Sequence, residues 1–589
     1  MEKRYLQRGF ALAVTAVLAL AACTQQPAGS SATPAGSASP SAAARGAGGD
    51  LKILYWQAAT ILNSHLAQGT KDYDAARLVL EPLAHMGPDG KPIAALAADV
   101  PTASNGGISS DYTSITWKLK PNLKWSDGSP FTSADVVFTY NYVKDEATAA
   151  TDANIAEGVK SVTAVDPTTV KVTFDAPNPN PYQIFVSGLG NILQEKQFKD
   201  FMGAKAKDAP GNQAPIGTGP YKVVQFKPDD VVTYAINENY REPNKPFFKT
   251  VTFKGGGDAT SAARAVFQTG ESDYSWNLQV EATVLKPMIE ASDSKGVFVS
   301  AVSPNVERIL INRSNPDPAL GAKRGEPDQP HPFLSDLKVR QALAMAIDRG
   351  PIGALYGGGK IAGDGTCNIV TGVPDYTSPN TAGMSVCKFD LAAANKLLDD
   401  AGWTKGADGI RAKGGKQMSI IYQTTVNPLR QKEQEVVKNG WTQLGIKVEL
   451  KSVAAGTFFS SGESPDTAAK FFTDVEMFTN GAESPDPTNY LSGWTCAEIK
   501  TAAAKWSGNN YERWCNKTFD DTFAQLKKEN DPAKRKDLII KLNDLLVQDV
   551  VIIPLVARNS PVSGVSKQLK GIKANPWDSE MWNIADWTK

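Results

Sequence analysis

The hydrophobic residues of this 589-residue chain follow two different periods along its length. Strict alternation of apolar and polar side chains, the pattern of a strand with one buried face, marks residues 114–119, 170–174 and 231–235. A continuous apolar run at 550–556 is typical of a strand buried on both faces. Because strand patterns and helix patterns alternate over the whole chain, we predict a mixed α/β fold and exclude an all-α or all-β protein.

Three helices are predicted from their capping residues and apolar faces. Thr132 stands three residues before Asp135, an arrangement like a capping box that predicts a helix from there to residue 142. The apolar residues of 339–347 share one helical face, and the Gly-Pro pair at 350–351 predicts the end of that helix. A third helix is expected to start after Asp531, at the proline that follows it.

The first residues predict export from the cell. Lys3, Arg4 and Arg8 precede an apolar run of roughly a dozen residues, whereas a membrane-spanning helix needs about 20. The run ends in Leu-Ala-Ala-Cys, which resembles a bacterial lipobox. We therefore expect residues 1–22 to be a signal peptide and Cys23 to be lipidated as the first residue of the mature chain. An ordinary cleavage site with a spare cysteine, the alternative, would still give export.

Residues 23–48 are almost wholly Thr, Gln, Pro, Ala, Gly and Ser after the cysteine. Such a segment cannot bury enough apolar surface to offset the entropy lost on ordering, so we expect a disordered linker. The linker would hold the folded part near the outer face of the bacterial cytoplasmic membrane, in a periplasm or at the cell surface.

Four cysteines remain once Cys23 carries lipid, and four cysteines can pair in three ways. The pairing between sequence neighbours closes two loops of about twenty residues each. We predict the disulfides Cys367–Cys387 and Cys496–Cys515. Four buried free thiols are the alternative, which is less usual in exported proteins.

Charge and histidine content narrow the function. The 62 Lys and Arg residues balance the 62 Asp and Glu residues, so no overall field attracts nucleic acid, and we expect no nucleic-acid partner. His65, His85 and His331 lie far apart in sequence, which argues against a zinc site. We therefore expect no metal and no cofactor.

Motifs of catalysis are also missing from the sequence. There is no G-x-S-x-G elbow and no H-E-x-x-H. Residues 357–360 read Gly-Gly-Gly-Lys, but Ala354 and Ile361 stand where a phosphate-binding loop needs Gly and Ser or Thr, so a helix terminus is the simpler interpretation. We expect no catalytic residues and no enzyme, although a hydrolase triad can be assembled from distant residues.

Five segments of the chain resemble, in the same order, segments of one known family. They are residues 117–141 (WKLKPNLKWSDGSPFTSADVVFTYN), 214–240 (APIGTGPYKVVQFKPDDVVTYAINENY), 336–359 (DLKVRQALAMAIDRGPIGALYGGG), 389–403 (FDLAAANKLLDDAGW) and 443–450 (QLGIKVEL). The family is that of the extracellular solute-binding proteins, family five, and the chain resembles its oligopeptide and dipeptide branch. One match would be weak evidence, but five matches in order are highly specific.

The resemblance implies a fold and a division into domains. The fold would be periplasmic-binding-protein-like type II, with two α/β lobes, a hinge and an extra inserted domain of the cluster C type. Lobe I would comprise residues 49–85, 215–302 and 554–589, the inserted domain 86–214, and lobe II 303–553. The resemblance further implies a monomer that captures peptides between its lobes and delivers them to the permease subunits of an ABC importer.

The resemblance also singles out a loop that would receive the peptide ammonium group. In the family, a carboxylate four residues before a proline does this, and Glu483 stands four residues before Pro487. The usual residue is Asp, so the chain departs by one methylene, and Asp486 is a neighbouring substitute. Asn480 stands where relatives often have an aromatic wall. A solvated loop acid is the alternative interpretation of Glu483.

Aromatic residues complete the predicted ligand site. Trp276 and Asn277 resemble a family segment at the cleft between the lobes, although a core tryptophan is equally compatible with the sequence. Tyr55 and Trp56 lie where the first strand of lobe I would reach the cleft, and Trp494 follows the Glu483 loop. Because tryptophan stacks on sugar rings, an oligosaccharide is an alternative cargo, as is a metal chelate.

Overall fold

The computed structural model describes residues 44–67, 69–459, 464–482 and 484–589. The predicted signal peptide, Cys23, Glu483 and the predicted linker up to residue 43 lie outside these described residues. The folded part begins earlier than the sequence indicates, because the first strand starts at Gly48 and the guanidinium of Arg45 donates to three backbone carbonyls. Residues 44–48 therefore belong to the fold and not to the linker.

Strands occur from one end of the described part to the other. In chain order they are β1 (Gly48–Tyr55), β2 (Ala84–Met86), β3 (Pro92–Ala94), β4 (Ser114–Lys118), β5 (Val159–Asp166), β6 (Thr169–Phe174), β7 (Tyr221–Lys227), β8 (Val231–Ile236), β9 (Phe248–Gly255), β10 (Tyr274–Ser275), β11 (Gly296–Ile311), β12 (Gly363–Gly365), β13 (Thr404–Lys405), β14 (Arg411–Lys413), β15 (Lys416–Gln417), β16 (Ser419–Thr425), β17 (Lys447–Val453), β18 (Val475–Asn480) and β19 (Ile552–Ser566). The longest two, β11 and β19, have 16 and 15 residues.

Helices alternate with these strands. In chain order they are α1 (Thr70–Arg77), α2 (Ser133–Lys144), α3 (Glu195–Phe198), α4 (Ala259–Arg264), α5 (Ala282–Glu290), α6 (Leu337–Met345), α7 (Arg349–Tyr356), α8 (Leu391–Asp400), α9 (Pro428–Gln443), α10 (Ala455–Phe458), α11 (Thr488–Ser492), α12 (Lys517–Leu526) and α13 (Pro532–Gln548). Within the described ranges, none of these helices has the length and apolar character needed to span a bilayer.

One large sheet contains strands from both halves of the chain. Its order is β17-β16-β18-β11-β19-β10-β1-β9-β8-β7, and β12 also pairs with β19. β1 is parallel to β9 and β10, and β16 is parallel to β17 and β18, whereas β11 and β19 are antiparallel to each other. A separate antiparallel sheet, β4-β6-β5, packs against α2. The mixed α/β prediction is confirmed.

The paired strands β11 and β19 connect the two ends of the large sheet. The beginning of β11 and the end of β19 lie beside β10 and β1, while the end of β11 pairs with β18. The register between β11 and β19 shifts on both sides of Val302, which marks an irregularity in the middle of the pair. This irregularity separates the strands around β1 from those around β16.

Buried apolar side chains form separate cores on the two sides of this strand pair. The largest core contains residues of the second half of β11 and of α6, α9, β16, β18 and α13, among them Ile309, Leu343, Tyr422, Trp441 and Leu542. Another surrounds the small sheet and α2, and a third surrounds β1, β8 and β9. Each fully buried large apolar side chain stabilises its core by about 1.5–3 kcal/mol.

Several local predictions are confirmed. β4, β6 and β8 cover the three segments with alternating patterns. Thr132 caps α2 and forms a capping box with Asp135, and α13 begins directly after its N-cap, Asp531. Both predicted disulfides, Cys367–Cys387 and Cys496–Cys515, are present. Gly357, in the left-handed region with φ 79°, ends α7, so the Gly-rich run is a helix terminus.

The predicted end of the helix at 339–347 is wrong. α6 ends at Met345, and the Gly-Pro pair at 350–351 lies in the first turn of the next helix, α7. Asp348 caps α7 by accepting a hydrogen bond from the backbone of Gly350. A proline in a first turn lacks only an N–H group that has no partner within the helix, so Pro351 starts a helix there and does not end one.

Candidate functional site

A cavity with a solvent-accessible volume of about 140 Å³ lies between two parts of the chain that are distant in sequence. One wall consists of residues beside the small sheet, between positions 154 and 189, and the other consists of β11 and residues 480–511. Amide and aromatic side chains line both walls, including Asn154, Tyr182, Gln183, Asn480, Tyr490 and Tyr511. The cavity therefore offers hydrogen-bond donors, acceptors and ring faces to a bound molecule.

The position of the second wall follows from the pairing of β18 with β11. Asn480, the last residue of β18, lies opposite Val306. At the next residue, Gly481, a Cβ atom would lie 2.3 Å from the carbonyl oxygen of Pro304. Only glycine permits so close an approach, and the loop that follows is thereby held against the start of the β11 segment that borders the cavity.

Neighbouring residues of β11 send their charges to opposite faces of the sheet, since side chains alternate along a strand. Glu307 is buried on the face away from the cavity, where the guanidinium groups of Arg430 and Arg558 donate to its carboxylate at 2.9 and 3.1 Å. Burial opposes ionisation of Glu307, but these two cations outweigh it and lower its pKa. Arg308 lies on the cavity face.

Aromatic rings surround the guanidinium of Arg308. Its Cζ atom lies 5.6 Å from the ring centroids of Phe478 and Tyr490 and 5.5 Å from that of Trp494. Its Nη1 atom donates a hydrogen bond to the hydroxyl of Tyr490 at 2.5 Å. Rings at this distance attract a cation through their quadrupole, so the guanidinium is held in place by interactions that leave its positive charge intact.

Behind this wall, next to Tyr511 in sequence, lies the buried titratable carboxyl group of Glu512. Burial raises the pKa of Glu512 to about 7, although the positive charge of Arg308 opposes the rise. Burial also lowers the pKa of Lys500 to about 8, with Arg513 adding to the effect, and the Lys500 ammonium lies 4.3 Å from the ring centroid of Tyr511.

The structure brings three of the predicted ligand residues, Asn480, Asp486 and Trp494, to the wall of this cavity. The carboxylate of Asp486 is already engaged, because it pairs with Arg535 and accepts from the backbone of Thr488 at 2.9 Å. Asp486 is therefore no free substitute for Glu483. Glu483 itself lies outside the described residues, and its role stays a prediction.

The other four predicted residues form a separate cluster that does not line the cavity. Trp276 stacks on Tyr55, with ring centroids 4.7 Å apart, and lies 5.8 Å from the ring of Trp56. The indole of Trp56 donates to the carbonyl of Asn277, whose left-handed backbone (φ 49°) turns the chain after β10. The expectation that these residues contact cargo stays a prediction, and their observed contacts are with each other.

Tyr55 belongs to a buried acidic network beneath this cluster. Its hydroxyl donates to Asp74 at 2.7 Å, and Tyr274 donates to Glu580. Burial raises the pKa of Glu580 to about 8 and that of Asp74 to about 6. Tyr55 is completely buried and has no surface to offer a ligand in this conformation.

The three histidines have structural partners. His65 lies between Asp152 and the carbonyl of Asn191, each at 2.8 Å. His331 binds Asp474 at 2.8 Å through one ring nitrogen and accepts from backbone N–H groups through the other, while His85 contacts Arg77. Within the described ranges, no three His, Cys, Asp or Glu side chains gather as metal ligands.

Sequence reasoning missed the residue at the centre of the cavity wall, Arg308, and the aromatic residues Tyr182, Tyr490 and Tyr511. One signal was present in the sequence. Glu307 and Arg308 interrupt the apolar run from Val306 to Ile311, and charged residues within such a run are seldom fully buried unless they are paired. The pattern shows that the two charges lie on opposite faces, but it does not show which face borders a cavity.

Comparison with known sequences assigns the chain to a family. The family model described as "Bacterial extracellular solute-binding proteins, family 5 Middle" matches residues 91–501, more than half of the chain. The chain belongs to this family, as the five ordered segments predicted. It is therefore an extracellular solute-binding protein.

Curated relatives match along most of the chain. The glutathione-binding protein GsiB of Escherichia coli (strain K12) is 26% identical over 480 residues, which cover 80% of this chain and 82% of that protein. The glutathione-binding protein GsiB of Shigella flexneri shows the same identity and coverage. Both relatives are binding proteins.

Solved structures confirm the fold. NikZ from Campylobacter jejuni, in complex with Ni(L-His), superposes with a TM-score of 0.74 at 22% identity and covers 92% of this chain and 99% of its own. The oligopeptide-binding protein AppA from Bacillus subtilis, in complex with a nonapeptide, gives the same four values. The two-lobed type II architecture of periplasmic binding proteins, predicted from the sequence, is thus the fold of this chain.

Proposed function

We propose that this protein captures peptides between its two lobes, with the cavity described above as part of the binding site, and delivers them to the permease of an ABC importer. The observation that carries the proposal is the cavity, which has polar and aromatic walls contributed by separate parts of the chain. Relatives support the cargo class, because they are described as binding glutathione or a nonapeptide.

The cavity chemistry suits peptides of differing sequence. Asn154, Gln183, Asn489 and Asn509 contribute side-chain amides to its walls. An amide offers both donors and an acceptor, so it can satisfy the N–H and C=O groups of a peptide backbone without distinguishing its side chains. Rings such as that of Tyr182 add apolar contact at sites where side chains of different size can fit.

We propose that Glu483 receives the ammonium group of the peptide. The residues on both sides support this position, since Gly481 and Ser484 line the cavity. Glu483→Gln should lower the affinity for peptides with a free amino terminus by about tenfold or more, because one charge-assisted hydrogen bond is lost. The affinity for amino-acetylated peptides should not change. The control is Glu449→Gln, on the exposed edge strand β17, which should change neither of these two affinities. Equal losses for both kinds of peptide would remove Glu483 from this role.

Capture is proposed to close the two lobes about β11 and β19. These strands connect the two sides of the large sheet, and their register shifts near Val302. A change from 1:99 to 99:1 in favour of the closed state needs about 5.5 kcal/mol of differential binding. Small-angle scattering should show a smaller radius of gyration when peptide is added. An unchanged radius at saturating peptide would contradict closure.

We propose that lipid on Cys23 anchors the protein at the outer face of the cytoplasmic membrane. The sequence Leu-Ala-Ala-Cys at residues 20–23 supports this. In cells labelled with palmitate, the unaltered protein should carry label and sediment with membranes, and Cys23→Ser should do neither. A labelled Cys23→Ser protein would contradict the proposal.

One experiment decides the cargo class. The protein is purified from its native host without denaturation, and released small molecules are identified by mass spectrometry. Short peptides are the expected result. Glycans or a metal chelate, the cargo kind suggested by the nickel-histidine complex of NikZ, would replace peptide in the proposal, and cleaved products of added peptides would indicate a hydrolase.

A further inference from the structure

Among the residues that the structure describes, the buried cation Arg308 has no direct counter-ion. Its residue is only 3% exposed, and its Nε atom is buried without a hydrogen-bond partner. Across the described ranges, Arg308 forms no ion pair, whereas Arg430 and Arg558 both hold Glu307 on the other face of the same strand. A charge removed from water normally needs a partner, so Arg308 has binding capacity that the described residues do not fill.

The guanidinium of Arg308 suits one kind of ligand group, a carboxylate. Arginine presents a planar fork of donors that matches a carboxylate with two parallel hydrogen bonds. Nη1 is used by Tyr490, and the rings of Phe478 and Trp494 pack around the group, so its orientation is fixed before anything binds. A preoriented guanidinium loses less rotamer entropy on binding than a mobile one.

The surroundings favour an anion. The buried acid Glu512 interacts electrostatically with Arg308, but burial raises the pKa of Glu512 and so disfavours the ionised form that would neutralise Arg308. Asp486, on the same wall, is paired with Arg535. On the facing wall, the side-chain amide of Asn154 lines the cavity and offers a further donor, whereas the amide of Gln183 already donates to the backbone carbonyl of Asn154 at 2.8 Å.

We infer that the cargo carries a carboxylate and that this carboxylate docks on Arg308 within the aromatic cluster of Phe478, Tyr490 and Trp494. The inference rests on the proposed function and specifies its substrate class as anionic at one end. A free carboxyl terminus and an acidic side chain would both provide this group.

The test uses the full-length protein and pools of randomised tri- to pentapeptides. One pool ends in a free carboxylate and a second in an amide, and both lack Asp and Glu. A third pool ends in an amide but contains Asp and Glu. Retained peptides are counted by mass spectrometry. The protein should retain a carboxylate-bearing pool about ten- to a hundredfold better than the neutral amide pool, the range of one charge-assisted interaction.

The pool that is preferred identifies the source of the carboxylate. Preference for the first pool assigns it to the carboxyl terminus, and preference for the third assigns it to a side chain. Equal retention of all three pools overturns the inference and leaves the proposed function standing. Retention of no pool at all overturns both.

Variants of the wall test Arg308 itself. Arg308→Met should abolish the preference, and Arg308→Lys should restore part of it, because lysine keeps the charge but not the fork. Arg324→Met is the matched control, since Arg324 also lies over a ring, that of Phe472 at 4.3 Å, but does not line the cavity. A preference that survives Arg308→Met would overturn the inference.

A second variant keeps the test valid if Arg308→Met does not fold. Glu512→Gln removes the acid that competes for Arg308 and retains a side chain of the same shape. The carboxylate preference should rise or stay unchanged in this variant. A fall of the preference in a folded Glu512→Gln protein would overturn the inference.

Discussion

Arg535, on α13, forms an ion pair with Asp486, in the loop that precedes α11. Both side chains are mostly buried, and Arg535 also donates to Thr488 at 2.9 Å and to the backbone carbonyl of Leu526 at 2.9 Å. The pair therefore fixes the cavity loop to α13. Asp486, predicted from the sequence to contact the ligand, thus forms a structural ion pair that holds the neighbouring loop residues in place.

Breaking this pair should loosen the loop. Arg535→Met leaves the carboxylate of Asp486 partly buried without its cation, and we expect a loss of about 3 kcal/mol in the free energy of unfolding. Peptide affinity should fall as well. Urea denaturation and calorimetry measure the two effects. Lys517→Met breaks the exposed pair of Lys517 with Asp521 and should cost less than about 1 kcal/mol, with affinity unchanged. Equal losses in the two variants would contradict this account.

The two disulfides should have similar effects on stability and different effects on binding. They close loops of similar length, with sequence separations of 20 and 19, so removing either should cost about 3 kcal/mol. The bond between Cys496 and Cys515 borders the segment that carries Asn509 and Tyr511, both on the cavity wall. The double Ala variant of this bond should therefore bind peptide more weakly than the Cys367–Cys387 variant. Equal affinities in the two folded variants would show that the bond does not position the wall.

Stability should fall as the pH rises from about 6.5 to 8. Burial raises the pKa of Glu580 to about 8 and that of Glu512 to about 7, so the folded state keeps protons that the unfolded state has lost. Ionising these acids in the folded state therefore costs stability as the pH increases. Burial lowers the pKa of His85 and of His331 below their usual 6.5, and their opposite effect ends near that value.

Glu580→Gln isolates this effect. The variant removes the titrating group with the highest of these pKa values, so its melting temperature should fall less between pH 6.5 and 8 than that of the unaltered protein. Thermal denaturation over this range measures the difference. A parallel fall in both proteins would assign the pH dependence to other groups.

Two Tyr→Phe variants separate the core cluster from the cavity. Tyr55→Phe removes the bond to Asp74 and should lower stability by about 1–2 kcal/mol without changing peptide affinity. Tyr490→Phe removes the hydroxyl that orients Arg308 and should weaken peptide binding several-fold, with a smaller change in stability. Denaturation and calorimetry on both variants check this. A loss of affinity in Tyr55→Phe alone would move the binding site to the Trp276 cluster.

The sequence determined the features that depend on local pattern. Alternation and capping residues located β4, β6, α2 and α13, because backbone periodicity and helix caps involve residues a few positions apart. Loop length favoured the disulfide pairing that the structure contains. Five ordered segments were enough to identify the family, since their order follows the chain.

The tertiary structure alone decided which side chains face the cavity. Arg308 meets Tyr490 across 182 positions of sequence, and Asp486 meets Arg535 across 49. Alternation along a strand places Glu307 and Arg308 on opposite faces of the sheet. Which of these faces borders the cavity depends on how the sheet packs against the rest of the protein. The same packing placed Tyr55 in a core and left Arg308 at a cavity wall, because burial depends on distant elements that no local pattern describes.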